Sequence, residues 1–489
     1  MNAARGRSTD VGIDVGIALL LLALATWLYA ATSLHCIYGN DGAMLGDWTA
    51  LPERAYRQYH NTLYLPCADL LRCVLPRGGV VSADDPLWLA KSLSAIAGGI
   101  GLACSYGCCR ALGSARGASL FAGLLLAVTP GLWFFGASIE VHTQHFAVVA
   151  ATALATLWLP WHRPALAVPA ACALFVLPYL SHQSAPTLGP AWILLIQSAR
   201  RRVAPAFSWP ALFGLGCVLL LALGLGHLLV QWQRGLGFAF GVGGVADTVV
   251  AWRRELTPTV VFEAVVAPLA LWLPIAAWAL VQRRADGWLR ASVLACYAPL
   301  TASVLWWGVA ERGGYLLGPA FLLAMLLAAA WPEANERRRA AWRPAMLLVV
   351  LAQAALAWPF VRGFDQAGAP LSARAQRVAS VLGERGLVLS CNDNAPTIAL
   401  WLPTVQETPL LPTLANDAPL DVWIASLEPL LHGFVASGPV VLDVSYRLRR
   451  DLPDRVRDAT MRLEQRLRER FAVTEHAFAD WPLWRIAAK

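Results

Sequence analysis

Charge is what this sequence has least of: Asp, Glu, Lys and Arg make up 14% of its 489 residues, against 57% hydrophobic residues. A soluble chain of that size does not carry so many apolar runs of about 18 or more residues, each long enough to cross a hydrocarbon core of about 30 Å as a helix. Also missing are a Walker-type Gly-rich loop, a GxSxG elbow and a CxxC pair, so nucleotide hydrolysis is not expected to drive the protein. The ten cysteines are scattered apart from the adjacent Cys108-Cys109. They form no metal-binding pattern, and most read as small apolar packing residues.

What remains is the pattern of a polytopic α-helical membrane protein. Apolar spans are expected near 12–33, 88–109, 117–136, 143–160, 165–180, 185–198, 209–231, 259–281, 290–308, 315–331 and 344–361, about eleven in all. The formal net charge is +8, but the basic residues fall in short clusters between spans rather than along one stripe, which argues against a nucleic-acid partner. Arg5 and Arg7, Arg110 and Arg116, His162-Arg163, Arg200-Arg201-Arg202, Arg283-Arg284 with Arg290, and Arg337-Arg338-Arg339 with Arg343 all fall on one side. The positive-inside rule makes that side cytoplasmic, with the N-terminus there and the C-terminus outside. Many of the 22 Trp sit at run ends, among them Trp133, Trp158, Trp161, Trp232 and Trp331, as in interfacial aromatic belts.

Two regions depart from the span pattern. Residues 34–87 form a long first outer loop whose segments Trp48 to Tyr59 and Leu63 to Leu75 are too short and polar to span. Composition changes again after residue 362. Residues 363–489 are expected to form a small extracytoplasmic α/β domain, with strands at 386–390, 440–444, 471–478 and 483–486 and helices at 371–382 and 454–470. The membrane domain is then 1–362.

The residues with chemical potential gather on the outer side. Asp41, in Tyr38-Gly39-Asn40-Asp41-Gly42, is an isolated acid between glycines soon after the first apolar run. Partial desolvation would raise its pKa toward useful general-base values, although Asn-Asp-Gly is also ordinary turn chemistry. Glu140-Val141-His142-Thr143, with His145 one turn on, places polar groups at the edge of an apolar helix pair, where they are costly unless they face a cavity or one another. His142 and His145 without a clear third ligand make a weak metal site, so a hydrogen-bonding wall is the expected role. His60-Asn61-Thr62 and Ser181-His182-Gln183-Ser184 add donors and acceptors. Glu311-Arg312-Gly313-Gly314-Tyr315 puts an arginine on the side where basic residues are disfavoured. That arginine would suit a bidentate grip on phosphate, with a salt bridge to Glu311 or contact with lipid head groups as the other readings.

In order and in shared side, these segments resemble the GT-C superfamily of membrane glycosyltransferases, particularly its protein O-mannosyltransferase-like and lipid A aminoarabinose-transferase-like branches. The resemblance rests on Asp41 in the first outer loop, His60-Asn61-Thr62-Leu63-Tyr64, Glu140-Val141-His142, Arg312 with Tyr315-Leu316-Leu317, and Val388-Leu389-Ser390-Cys391-Asn392-Asp393-Asn394 in the tail. It implies inverting transfer of a sugar from a polyprenyl-phosphate donor to a glycan, lipid or protein acceptor on the outer face. Asp41 would be the general base and Arg312 would stabilise the departing lipid phosphate. Asn40, His60, Asn61, Glu140, His142, His182 and Tyr315 would bind or orient substrate. Where the family carries an acidic pair, this chain has one acid flanked by Asn40, so no divalent metal is expected, and no cofactor beyond the lipid-linked sugar. The alternative is a transporter or lipid flippase, which would show polar groups near span midpoints and broken helices.

Overall fold

A computed structural model describes the chain except for residues 1, 37–38, 51–61, 76–78, 83–84, 183, 234–255, 308–310, 332–335, 368–370, 384, 391–397, 399–400, 403, 410–427, 430, 437, 445–446, 448–453 and 479–481. It divides into two compact units. One comprises Met1–Ser33, Tyr56–Ser82 and Lys91–Gly363; the other comprises Leu34–Ala55, Ala83–Ala90 and Phe364–Lys489. The outer loop expected to belong wholly to the membrane domain is therefore shared between the two.

The first unit is helical. Its leading elements are α1 (Asn2–Ala31), α3 (Tyr64–Val74), α4 (Trp88–Ala111, whose first three residues lie in the second unit), α5 (Arg116–Ala127), α6 (Pro130–Ala137), α7 (His142–Trp158), α8 (Pro164–Ser181), α9 (Gly189–Arg200) and α10 (Trp209–Gln233), with α2 (Gly39–Ala50) in the second unit. Among the described residues six helices are long and apolar enough to cross a membrane, or eight if each of two bent pairs counts as one span. The chain is an integral membrane protein. The longest helices expose rows of Leu, Val and Trp, as lipid-facing surfaces do.

A few polar contacts pin α1 into the bundle. Asp14 accepts hydrogen bonds from Arg110 (3.1 Å), Arg116 (2.9 Å) and the Tyr106 hydroxyl (2.8 Å). A carboxylate inside an apolar helix is tolerable because these three donors neutralise and satisfy it.

All eleven apolar segments contain helix, but several are interrupted. The segment expected at 117–136 bends by 60° between α5 and α6, where Pro130 at the start of α6 removes a backbone donor. The segment at 259–281 bends by 71° between Pro258–Leu269 and Trp272–Val281, with Ala270 at φ 46°. The segment at 315–331 opens as a tight turn, Glu311–Leu316, before helix Ala320–Ala330. Asn40-Asp41-Gly42, read as a polar loop, instead opens α2.

The sheet of the second unit has strand order β2-β1-β3-β5-β4, with β1 at Gly386–Ser390, β2 at Val405–Pro409, β3 at Val440–Asp443, β4 at Ala472–His476 and β5 at Leu483–Ala487. β1 runs parallel to β2 and β3, while β5 is antiparallel to β3 and β4. Period-two alternation splits the core. Leu387, Leu389, Val440, Leu442, Trp484 and Ile486 pack with Leu463 and Leu467 of helix Asp454–Arg470, whereas Val388, Val441 and Leu483 pack with Ala375 and Val378 of helix Leu371–Leu382. The sequence pattern anticipates four of the five strands. It misses β2, whose Val-Gln-Glu-Thr-Pro has no apolar run and whose proline suits an edge strand.

Candidate functional site

The first turn of α7 departs most from its surroundings. His142, Thr143, Gln144 and His145 are four successive polar residues, none more than 4% exposed, in a helix that is otherwise apolar but for two threonines. Polar groups at such a place need partners, and several are visible. Glu140, also buried, accepts the Val141 N–H through Oε2 at 2.9 Å, placing a carboxylate at the positive end of α7. Gln144 Nε2 donates to the Leu63 carbonyl at 2.9 Å, and Thr62 Oγ1 and the Leu63 N–H both donate to the Leu180 carbonyl, which docks the start of α3 on α7 and α8.

Three imidazoles meet here. The ring centroid of His182 lies 5.5 Å from His142 and 5.0 Å from His145. Tyr315 sits 5.4 Å from His142 and 5.5 Å from His182, and Phe135 lies 4.7 Å from His142. The hydrogen bonds assign two tautomers. Ser181 Oγ donates to the Pro178 carbonyl at 2.7 Å, so the 2.8 Å contact with His145 Nδ1 is a bond the imidazole donates, leaving His145 Nε2 as acceptor. His182 Nδ1 accepts the Ser184 N–H at 3.1 Å, which puts its proton on Nε2.

The turn Glu311–Leu316 closes the cluster from the other side. Glu311 Oε2 lies 3.5 Å from His142 Nε2, and the Tyr315 hydroxyl donates to Glu311 Oε1 at 3.4 Å. The turn approaches because only hydrogen fits at its glycines: a Cβ would lie 2.4 Å from the His142 ring at Gly314 and 2.7 Å from the His145 ring at Gly318. Glu311 and Arg312 hold φ of 31° and 45°, a region costly to non-glycine residues that clusters at functional sites.

The sequence-derived candidates divide accordingly. Glu140, His142, His182 and Tyr315 belong to one neighbourhood. Arg312 borders it, but its guanidinium lies between the Phe134 and Phe360 rings at 4.6 and 4.8 Å and donates to the Phe360 carbonyl at 2.8 Å. Asn40 and Asp41 open α2 in the second unit, with side chains outside the described residues, and His60 and Asn61 lie outside them altogether.

Four participants escaped sequence reasoning. Glu311 faces His142 rather than serving only as the neighbour of Arg312. Lys91, 6% exposed on α4, lies one turn before Ser94, whose hydroxyl reaches the Glu140 carbonyl at 3.5 Å; a lysine opening an apolar span was the available signal. Tyr64 is fully buried, and burial, then the charge of Glu140, push its hydroxyl above the ordinary tyrosine pKa. Gln144 was hidden between two histidines that drew the attention. Among the described residues no group of three or more His, Cys, Asp and Glu side chains has the geometry to hold a metal. The arrangement presents imidazoles, phenols and carboxylates against aromatic faces, the chemistry that recognises a polar, hydroxyl-bearing ligand.

No family model matches the sequence, and no curated protein sequence matches it. Solved structures do. ArnT from Cupriavidus metallidurans bound to undecaprenyl phosphate superposes with a TM-score of 0.55 at 14% identity, covering 98% of each chain. The apo state of the same protein gives 0.57 at 15% identity, covering 96% of this chain and 98% of that one. Similarity over nearly the full length of both chains shows that this chain shares the fold of that protein.

Proposed function

We propose that the protein is an integral-membrane glycosyltransferase that moves a sugar from a polyprenyl-phosphate donor to an acceptor on the outer face of the membrane, with inversion. The observation that carries the reading is the cluster of buried Glu140, His142 and His182 with the partly exposed Tyr315 and Glu311, in a chain with the fold of a protein crystallised with undecaprenyl phosphate. An apolar bundle does not hold so many polar side chains without a ligand or a network to offset their desolvation.

In this reading Asp41 takes the proton of the acceptor hydroxyl. The acceptor oxygen attacks the anomeric carbon from the face opposite the phosphate, and the bond to the phosphate oxygen breaks with its electron pair leaving on the lipid phosphate. Arg312, with Lys91 as a second cation, offsets that charge as it develops. Glu140, His142, His182 and Tyr315 orient the sugar, while Asn40, His60 and Asn61 bind acceptor or sugar. The acceptor is a glycan, a lipid or a protein.

The test is Asp41→Asn in proteoliposomes supplied with polyprenyl-phosphate sugars. Transfer should fall by about 10²–10⁴-fold, the usual worth of a general base. Undiminished transfer removes Asp41 from the role. A transporter or flippase is the second reading, favoured by the two bent spans and by Gln353 inside helix Glu336–Ala367. Substrate translocation in the same vesicles without a glycosidic product would select it.

A further inference from the structure

The bend at Ala270 leaves backbone groups unpaired at the depth of an apolar span, where lipid offers them nothing. Gln353, fully buried near the middle of helix Glu336–Ala367, supplies both missing partners. The Leu271 N–H donates to Gln353 Oε1 at 3.0 Å, and Gln353 Nε2 donates to the Leu269 carbonyl at 3.2 Å. The two broken spans also meet at their breaks. Trp272 Nε1, just past the Ala270 bend, donates to Thr129 Oγ1, at the bend between α5 and α6, over 2.7 Å in a buried contact.

This joint backs the turn that carries Glu311 and Tyr315. Gly313, at φ 74°, lies so close to the first half-helix that a Cβ there would sit 2.5 Å from Pro268 Cβ and 2.9 Å from the Ala264 carbonyl oxygen. A Cβ on Gly131, in the first turn of α6, would lie 3.1 Å from Pro268 Cβ and 3.5 Å from the Arg312 carbonyl oxygen. The strained backbone of Glu311 and Arg312 is thus held against two half-helices, Pro258–Leu269, whose end is bonded to Gln353, and α6, which follows the bend that Thr129 ties to Trp272.

We propose that Gln353 is a positioning residue for the candidate site: by locking the Ala270 bend it fixes the turn Glu311–Leu316, and so the alignment of Glu311 and Tyr315 on His142 and His182. The proposal rests on the functional reading of that site, but its test does not require transfer. Hydrogen exchange is followed by mass spectrometry on the full chain in lipid nanodiscs. Gln353→Leu should speed exchange about tenfold or more both around 267–273 and in 311–317, about forty residues further along the chain. Trp272→Phe, which removes the donor N–H together with part of the ring, should accelerate the same turn and serves if Gln353→Leu does not fold. Faster exchange confined to 267–273 makes Gln353 a local cap only and overturns the proposal. In the transfer assay kcat should drop with little change in KM for the lipid donor. Should the wild type prove not to transfer sugar, the functional reading falls while the exchange result still decides the coupling.

Discussion

The core of the C-terminal sheet and the first turn of α7 are buried to a similar degree and filled by opposite kinds of residue. In β3, Val440, Val441 and Leu442 alternate between the two apolar layers that flank the sheet, and each side chain is there because burial favours it. In α7, four consecutive polar residues occupy sites where burial works against each of them. The sheet is explained by its own stability. The α7 turn is explained only by something that its side chains do.

The sharpest way to break this contrast is to remove one residue of each kind and read two quantities. His142→Ala should lower sugar transfer by about 10²–10³-fold, the range seen when one preorganised polar group is lost. Its thermal unfolding should change little, because the imidazole contributes contacts that burial alone would not select. Leu442→Ala should do the reverse, costing the sheet about 2–5 kcal/mol while leaving transfer per folded molecule unchanged. If His142→Ala unfolds the protein and keeps residual transfer near wild type, the α7 turn is a structural network and the contrast fails.

The same contrast decides what the sequence made legible. Alternating apolar residues announce strands, so β1, β3, β4 and β5 could be placed with both their helices, whereas β2 could not. The long helices follow from unbroken apolar runs. The bends do not, since Pro130 and Pro268 stand among many prolines in apolar segments and nothing local marks Ala270 as a break. Glu140, His142, His182 and Tyr315 were legible because polar residues at the edges of apolar runs are expensive. Lys91 and Gln353 carried the same signal inside spans that otherwise read as apolar throughout. Glu311 facing His142 is a tertiary fact, made by the close approach of Gly314, and has no local signature.

A milder change sharpens the contrast within the site. Glu311→Gln keeps the shape and the hydrogen-bonding capacity of the turn but removes its charge, while Glu311 remains partly exposed and 3.5 Å from His142. Transfer should fall only about three- to tenfold, as for a neutral replacement that weakens a charge-assisted bond without deleting it. A loss as deep as that of His142→Ala would make the carboxylate itself, rather than the orientation of His142, the working group.

The smallest expected effect comes from ion pairs, where the two regions can be compared with the chemistry held constant. In the C-terminal unit Arg447 Nε donates to Glu464 Oε1 at 2.8 Å, and the arginine is partly exposed. Water reaches the arginine and solvates it when its partner is lost, so Glu464→Gln should cost at most about 1 kcal/mol in unfolding. Asp14 in α1 holds both Arg110 and Arg116, at 3.1 and 2.9 Å, close to the start of the candidate span Val11–Ala31. Asp14→Asn removes the counter-charge that two guanidinium groups share, against one in the other pair, and should therefore cost more than Glu464→Gln under the same conditions. Equal costs would mean that water reaches Arg110 and Arg116 as freely as it reaches Arg447, and that this end of α1 lies outside the hydrocarbon layer.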